Sequence, residues 1–305
     1  MKPFDLLVAG EINPDLILSG DVEPVFGQAE KLVDGASVTI GSSSAIFACG
    51  AARLGLKVAF IGVCGNDVFG RFMLDEMSKR SVDIENVICI PGGLTGLSVI
   101  LNRGTDRAIL THPGLISALK AGEVSDGLLR QTRHLHVASY FLQTTLQPGL
   151  PQLFERAHSL GLTTSLDTNY DPSGEWHGFD RLLSLTNVFL PNQAEACSLA
   201  RVEDVDLAAD RLAGDVDVLA VKLGAAGALG VMNTQKIRVA SIPVKVVDTV
   251  GAGDSFDAGF LFGYLNGWPL ENSLKLATVC GALSTQAAGG TMAQPTLAQA
   301  EKYLS

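Results

Sequence analysis

The most informative segment of the chain reads Asp248-Thr249-Val250-Gly251-Ala252-Gly253-Asp254-Ser255-Phe256-Asp257-Ala258-Gly259-Phe260. Residues 245–247 before it have strand character, and residues 252–265 have the period of a helix. The small residues at 251–253 let a ligand approach the backbone closely, and glycine permits positive φ. The first amides of a helix have no partner inside the helix, so together with the helix dipole they form an anion site.

Asp254 places a carboxylate inside this predicted anion site. Because a carboxylate repels phosphate, the residue does not fit a simple phosphate cradle. It fits a base that deprotonates a hydroxyl nucleophile, while the amides of Ala252, Gly253 and Asp254 stabilise the oxygens of a transferring phosphoryl group. The alternative is an ordinary helix N-terminus with an acidic residue in its first turn, which is a common arrangement.

Short apolar runs alternate with helix-period segments along most of the chain. The runs that predict strands buried on both faces are residues 6–9, 58–63, 134–138, 163–166, 188–190 and 218–221. The segments between them that predict helices are residues 44–54, 69–80, 148–160, 193–200 and 207–213, and three consecutive helices follow at 252–265, 270–288 and 297–304. This alternation is typical of a three-layer α/β protein with a parallel sheet.

Two regions, residues 16–40 and 94–111, carry strand patterning without intervening helices. The second predicts a hairpin whose polar turn spans residues 102–106 and contains Gly104. We expect these strands to form a small sheet that acts as a lid; the alternative is that they are edge strands of the main sheet. Because no linker-like stretch interrupts the chain, we expect residues 1–305 to form a single domain.

The composition excludes several classes of protein. The 305 residues include 32 acidic and 22 basic ones, and the net charge of −10 comes without the basic stripe of a nucleic-acid-binding protein. No apolar run reaches about 18 residues, so no membrane span is predicted. The N-terminal apolar run is too short for a signal peptide, and the five cysteines show no CxxC spacing. We therefore expect a cytoplasmic protein with buried free thiols.

The whole thirteen-residue segment closely resembles the C-terminal signature of the PfkB, or ribokinase-like, carbohydrate kinases. Gly10-Glu11-Ile12-Asn13-Pro14-Asp15 is similar to the family's Gly-x-x-Asn-x-Asp segment, and residues 41–55 look like its N-terminal signature. In that signature Ser42 replaces a glycine and Ile46 replaces an asparagine. The resemblance implies an α/β protein with a three-layer α/β/α ribokinase-like fold, a mainly parallel central sheet and a small β-sheet lid.

The resemblance also implies ATP-dependent phosphorylation of a hydroxyl group of a sugar or a closely related small molecule, with ATP and Mg²⁺ as cofactors. The implied catalytic residues are Asp254 as the base and Gly251, Ala252 and Gly253 in the anion hole. The implied substrate-binding residues are Asn13, Asp15, Gly41, Ser42, Ser43 and Asn169, and the nucleotide-binding ones are Asn192, Lys222, Gly224, Gly227 and Thr278. Asn192 and Glu195 would organise Mg²⁺ through water. The positions of a monovalent cation such as K⁺ would be Asp248, Val250, Ser284, Ala287 and Gly289.

Several of these residues also have a purely structural interpretation. Asp15 is also consistent with a turn or cap aspartate, and the serines at 42–44 with a helix N-cap. Lys222 has two interpretations: its side chain binds a phosphate, or it is a solvated lysine at the end of a strand. Arg107 contacts substrate or phosphate, or is an exposed charge on the hairpin, which we favour.

Two other functions stay open. A nucleoside kinase of the same family would need an apolar or aromatic wall for the base, for which Phe26 and Phe47 are the candidates. A non-catalytic sugar- or nucleotide-binding homologue is suggested by Ser42, by Ile46 and by Asp171, which replaces the arginine of the family's Asp-x-Asn-x-Arg segment. Members of the family often dimerise through the lid, so we also expect a homodimer.

Overall fold

In the part of the chain that the structure describes, the apolar runs form fifteen strands in three sheets, with helices packed around them. The computed structural model describes residues 2–103 and 106–304, so Gly104 and Thr105 of the predicted hairpin turn lie outside the described residues. The strands are β1 (Leu6–Ala9), β2 (Pro14–Ser19), β3 (Gly35–Ile40), β4 (Val58–Ile61), β5 (Val63–Gly65), β6 (Val82–Asp83), β7 (Ile88–Ile90), β8 (Leu97–Arg103), β9 (Asp106–His112), β10 (His134–Val137), β11 (Thr163–Leu166), β12 (Val188–Phe189), β13 (Val218–Lys222), β14 (Ala228–Met232) and β15 (Gln235–Val239). The helices are α1 (Ser43–Leu54), α2 (Val68–Lys79), α3 (Asp126–Leu129), α4 (Leu150–Ser159), α5 (Asp180–Leu183), α6 (Gln193–Ala200), α7 (Val205–Leu212), α8 (Ala252–Leu265), α9 (Leu270–Ser284) and α10 (Leu297–Ala300).

The largest sheet has the strand order β15-β14-β13-β12-β11-β10-β1-β4-β6. Neighbouring strands from β13 to β6 pair in parallel, and β13, β14 and β15 pair antiparallel. The six predicted sheet strands are confirmed, with small differences at their ends. The β14–β15 hairpin was not predicted. Gly224 and Gly227 indicated a nucleotide-binding loop, and the apolar residues after them were not interpreted as strands.

Alternating side chains of the central strands face two helical layers. On β1, Leu6 and Val8 belong to the core cluster that includes α1, α8 and α9, whereas Leu7 and Ala9 belong to the cluster that includes α4 and α7. All four side chains are completely buried, as expected for a central strand of a parallel sheet. This division of the core confirms the three-layer α/β/α architecture.

A separate four-stranded sheet has the order β3-β2-β8-β9. Strands β2 and β8 pair in parallel, and the two outer pairs are antiparallel. The predicted small sheet from residues 16–40 and 94–111 is therefore confirmed, and the alternative that these are edge strands of the main sheet is wrong. Strands β5 and β7 form a further two-stranded sheet, which explains why the predicted strand 58–63 is interrupted after Ile61.

Two predictions near the C-terminal end are wrong. Residues 245–247 are not a strand; instead the amides of Val247 and Asp248 both donate to the carbonyl of Thr285, at 2.8 and 3.1 Å. Helix α9 ends at Ser284 rather than at 288, because the chain turns there towards Gly289, whose φ is 82°. Within residues 2–103 and 106–304, no helix has both the length and the apolar character needed to cross a membrane.

Candidate active site

The candidate site lies where the parallel strands end. Because parallel strands present their carboxyl ends at one edge of the sheet, the residues that follow β1, β10, β11 and β12 come together there. They bring Glu11, Ser139, Asn169 and Asn192 to the same edge as Lys222, the last residue of β13. The N-termini of α1 and α8 are joined to this group by hydrogen bonds in which Ser42 donates and Ser43 and Asp257 accept, described below.

The glycine-rich turn begins α8 as the sequence predicts. Gly251 is the N-cap with φ 72°, and a Cβ added there would lie 2.7 Å from Gly290 Cα and 2.9 Å from Ile46 Cγ2, so only glycine fits. The amide of Ser255 donates to the carbonyl of Gly251 at 2.9 Å. The amides before Ser255 have no carbonyl within the helix to which they could donate, because that carbonyl would lie before the helix begins. The amide of Ala252 makes only a long contact of 3.3 Å with the carbonyl of Thr249.

Asp254 lies in the first turn of α8 with 7% of its surface exposed. Burial raises the pKa of Asp254 well above its usual range; the charge of Asp167 adds to this effect and that of Lys222 opposes it. The Ser43 side chain, at the start of α1, also lowers the pKa of Asp254 and so acts against burial. A carboxylate with a raised pKa is a stronger proton acceptor than an ordinary aspartate, which suits a general base.

Lys222 is held by two buried carboxylates. Its Nζ lies 2.9 Å from Asp167 Oδ2 and 3.1 Å from Asp257 Oδ2. Burial acts against the charged form, but the two carboxylates outweigh it and raise the pKa of Lys222. The alternative of a solvated strand-end lysine is therefore wrong. A Cβ added to Gly253 would lie 3.7 Å from Nζ, so the ammonium stands beside the anion hole, and its contact with a nucleotide stays a prediction.

Asn192 and Glu195 are each other's partners in a capping box at the start of α6. Asn192 Oδ1 accepts from the Glu195 amide at 2.9 Å, and Glu195 Oε2 accepts from the Asn192 amide at 2.8 Å. Burial, with a further contribution from Asp167, raises the pKa of Glu195 to about 7. The predicted convergence of the two side chains is present. Their role towards Mg²⁺ stays a prediction, since none of the described residues form a group of three or more side chains suited to bind a metal directly.

Asp15 faces the second charged region of the site. It is buried on β2, and burial raises its pKa to about 7, with Arg107 acting in the opposite direction. Arg107 comes from β9 of the small sheet and keeps 39% of its side chain exposed, yet its guanidinium lies 3.8 Å from Asp248 Oδ1. The interpretation of Arg107 as a merely exposed charge is therefore incomplete, because the small sheet carries it to the two carboxylates of the site.

Asp248 joins two loops beside the anion hole. Its carboxylate accepts from the amides of Val250 and Gly289, each at 3.0 Å. Three of the five positions of the implied monovalent-cation site are thus brought together. Ser284 lies at the end of α9, where its hydroxyl donates to the carbonyl of Gly281, and the structure supplies no contact that assigns Ala287 to the site.

The remaining predicted residues occupy loops around these groups. A Cβ added to Gly41 would lie 2.3 Å from Asp15 Oδ1, so this glycine is required by the aspartate. Asn13 is buried and lies 3.4 Å from Ser98 Oγ of the small sheet. Gly224 and Gly227 have φ of 58° and 98° in the turn after β13, and Thr278 is buried on α9.

Glu11 is a further residue of the site that the sequence analysis missed, as it missed Asp167 and Asp257. It is only 2% exposed and accepts hydrogen bonds from Ser44 Oγ at 2.5 Å and Ser139 Oγ at 3.0 Å. Ser42, whose φ is 64°, lies 3.0 Å from Glu11 Oε1 and caps α1 by accepting from the Ala45 amide at 3.0 Å. The helix-cap interpretation is therefore right for Ser42. The only sequence signal for Glu11 was an acidic residue directly after a buried parallel strand.

The aromatic wall proposed for a nucleoside base is not formed by the predicted residues. Phe47 is 1% exposed and stacks on His136 in the core, with ring centroids 3.9 Å apart. Phe26 is 94% exposed. Ile46 is buried and packs against the Gly251 and Gly290 backbone, so the missing asparagine is replaced by an apolar support for the anion hole.

The buried ion cluster leads to a stability prediction for Lys222→Met. This change leaves two buried carboxylates unpaired, and we expect a loss of about 3–5 kcal/mol in the free energy of unfolding at pH 7. The loss is smaller at pH 5, because burial raises the pKa of Asp257 and the unpaired carboxyl takes up a proton. Urea unfolding at both pH values measures the effect, and adding Asp257→Asn serves as the matched control that restores part of it. Equal losses at both pH values would contradict the role of the ion cluster.

Comparisons with known proteins agree with this geometry. The model of the pfkB family of carbohydrate kinases matches residues 5–297. The chain is 30% identical to a 2-dehydro-3-deoxygluconokinase of Bacillus subtilis, with 85% of this chain and 84% of that protein covered. A solved adenosine kinase of Sinorhizobium meliloti is 25% identical with a TM-score of 0.87, covering 99% of this chain and 100% of that one. A further solved structure is a ribokinase II of E. coli in complex with ATP and Mg²⁺. It is 23% identical to this chain with a TM-score of 0.87, and the match covers 99% of both chains. The chain belongs to the pfkB family of carbohydrate kinases.

Proposed function

We propose that this protein transfers the terminal phosphoryl group of ATP to a hydroxyl group of a sugar, with Asp254 as the general base. The observation that supports this most is the placement of the Asp254 carboxyl in the first turn of α8, directly after the glycine-rich turn, whose amides have no partner inside the helix. A base and an anion hole on the same helix turn serve a reaction in which a proton leaves the nucleophile as a phosphoryl group arrives.

In the proposed reaction, Asp15 binds hydroxyl groups of the sugar and Asp254 accepts the proton of the reacting hydroxyl. The amides of Ala252, Gly253 and Asp254 stabilise the negative charge on the transferring group. The helix dipole of α8 acts in the same direction, since it places partial positive charge at this end. Arg107, brought over the site by β9, is suited to pair with negative charge on the substrate.

The residues also fit ATP with a bound Mg²⁺. This edge of the sheet holds four buried acidic side chains and the ammonium of Lys222, and a divalent cation would favour the charged forms of the acids: Asp167, Glu195, Asp254 and Asp257. Mg²⁺ commonly keeps several waters and binds phosphate oxygens, and Asn192 and Glu195 would hold it through water. When bound, ATP supplies the phosphoryl group and Mg²⁺ neutralises the charge on its oxygens. A K⁺ site beside Asp248 stays a prediction.

Nucleosides are the second candidate class of substrate. The likeness to an adenosine kinase favours them, but the burial of Phe47 and the exposure of Phe26 remove the predicted wall for a base. A non-catalytic binding protein is the third candidate. It is disfavoured because the anion hole, Asp254, Lys222 and the Asn192–Glu195 pair are all assembled at one edge of the sheet.

The proposal predicts the kinetics of Asp254→Asn. We expect the turnover number to fall by about 10²–10⁴-fold, because the isosteric amide is no proton acceptor, while ATP still binds. ADP release is measured over a panel of neutral sugars, sugar acids and nucleosides, and calorimetry measures ATP binding. Asp75→Asn, an exposed residue of α2, is the matched control and keeps wild-type turnover. Near-normal turnover by Asp254→Asn would refute the base assignment, and silence over the whole panel with ATP bound would favour the binding protein.

We further propose that the small sheet is a lid through which two copies associate, as part of a single-domain cytoplasmic kinase. Side chains directly opposite each other share one face of a sheet, and the pairing register gives two apolar rows on one face. These rows are Val38-Leu16-Val99-Leu110 and Ala36-Leu18-Leu101-Ala108. The opposite face carries the buried Ile17 and Ile100, whereas Val38 and Leu110 are 45% and 60% exposed. A second copy of the same face would cover this apolar surface.

The dimer proposal predicts that Leu110→Asp converts the protein to a monomer, because a charge on the apolar face must be buried on association. Sedimentation equilibrium at micromolar concentration measures the mass. Val68→Asp replaces an equally exposed valine on α2 and is expected to leave the dimer intact. A wild-type protein that sediments as a monomer would refute the proposal.

A further inference from the structure

Hydrogen bonds link the buried Glu11 through Ser139 and Asn169 to Ser43, whose side chain lowers the pKa of Asp254. At the centre, Asn169 Nδ2 donates to Ser139 Oγ at 2.8 Å and to Ser43 Oγ at 2.6 Å. Ser139 Oγ in turn donates to Glu11 Oε1 at 3.0 Å. This network crosses the ends of β1, β10 and β11 and reaches Ser43 at the N-terminus of α1.

The protons in this chain have one consistent arrangement. The Asn169 amide has two N–H groups, and each of them is accepted by one serine. Each serine is then left with a single O–H to donate onwards: Ser139 donates to Glu11, and the O–H of Ser43 is available to Asp254. The two carboxylates are therefore the two ends of an ordered network, and Asn169 sets its direction.

The backbone is distorted where it supplies this network. Ser42, Ser139 and Asn169 have φ of 64°, 52° and 53°, a region that residues other than glycine rarely adopt. Such conformations cost energy and persist where the surroundings hold them, often at functional sites. Glu11 supplies that hold, since its carboxylate contacts both Ser42 and Ser139.

We propose that Glu11 is a positioning residue for phosphoryl transfer, which fixes the far end of the network so that Ser43 holds the Asp254 carboxylate in place. The proposal rests on the proposed function of Asp254. The negative charge of Glu11 contributes a second effect, because it raises the pKa of Asp254.

The test compares Glu11→Gln with Ser139→Ala, and runs Asp254→Asn beside them. Both network variants are expected to lower the turnover number by about ten- to hundredfold with an unchanged KM for ATP, because the base is misplaced. Only Glu11→Gln removes a charge, so only its acid limb in the pH–rate profile moves to lower pH. In the double variant Glu11→Gln/Asp254→Asn, turnover is no lower than in Asp254→Asn alone, because Glu11 acts through Asp254.

Wild-type turnover in both network variants, or an additive loss in the double variant, would overturn the positioning role of Glu11. Failure of the proposed function is a separate result, since Asp254→Asn would then keep its turnover whatever Glu11 does. If Glu11→Gln does not fold, Ser139→Ala and its double variant with Asp254→Asn decide the question alone.

A separate observation concerns two cysteines on the paired strands β5 and β7. Cys64 and Cys89 are register partners, and their Sγ atoms lie 3.7 Å apart. Neighbouring strands are about 4.8 Å apart, within the range of Cα separations that a disulfide spans. Cys64 is buried but Cys89 is exposed, so the expectation that the thiols are buried is wrong for Cys89.

We also propose that Cys64 and Cys89 are a modification site, at which a peroxide forms an intramolecular disulfide. The exposed Cys89 thiolate attacks the peroxide oxygen and becomes a sulfenic acid, releasing the first water once the leaving hydroxide is protonated. The Cys64 thiol then attacks the Cys89 sulfur and its proton leaves with the hydroxyl group as the second water. Two thiols are oxidised by two electrons, and one hydrogen peroxide is reduced to two waters.

Peptide mapping of the full chain after treatment with hydrogen peroxide tests this site. We expect a peptide pair linked through Cys64 and Cys89, cleaved by dithiothreitol, and a fall from five to three free thiols in the denatured protein. Cys64→Ser is the control. It forms no linked pair, and its Cys89 is oxidised to a sulfenic, sulfinic or sulfonic acid. Oxidation of Cys89 in the wild-type protein without the linked pair would overturn the proposal.

Discussion

Lys222 connects three parts of the molecule through two buried ion pairs. Its own strand β13 is joined to Asp167 at the end of β11 and to Asp257 in the second turn of α8. Because Gly253 lies next to the ammonium, these contacts fix where α8 begins relative to the carboxyl edge of the sheet. Removing one partner from a buried ion pair is costly, so the position of the anion hole depends directly on this interaction.

The same ammonium is outnumbered by the acids around it. Glu195 and Asp254 have raised pKa values, first because they are buried and then because Asp167 is close. On the substrate side, burial and the charge of Asp248 raise the pKa of Asp15, and Arg107 acts in the opposite direction. This excess of carboxylates separates the site from a simple anion cradle. It fits a centre that takes a proton from an alcohol and is completed by a cation carried on the nucleotide.

Local patterns were enough to predict the layers, the parallel strands and the start of α8. Burial on both faces of a strand and a glycine-rich helix start each depend on residues that are neighbours in the sequence. The small sheet was predicted for the same reason. Contacts between distant segments could not be predicted from local patterns. The partners of Lys222 are 55 and 35 residues away in the sequence, and those of Glu11 are up to 128 residues away. The Arg107 contact with Asp248 and the register that pairs Cys64 with Cys89 also depend on tertiary placement. The β14–β15 hairpin was missed because the glycine-rich turn before it was interpreted as a loop, and the strand residues that follow were not considered.

The central claim is that the Asp254 carboxylate meets the reacting hydroxyl in front of the amides that start α8. A crystal structure of the protein with ADP and the sugar that the assay panel identifies tests it most directly. The account predicts a sugar hydroxyl about 2.6–3.2 Å from the Asp254 carboxylate, with the ADP phosphates directed towards the amides of residues 252–254. A sugar bound away from residue 254, or an Asp254 side chain with no substrate oxygen in reach, would contradict it.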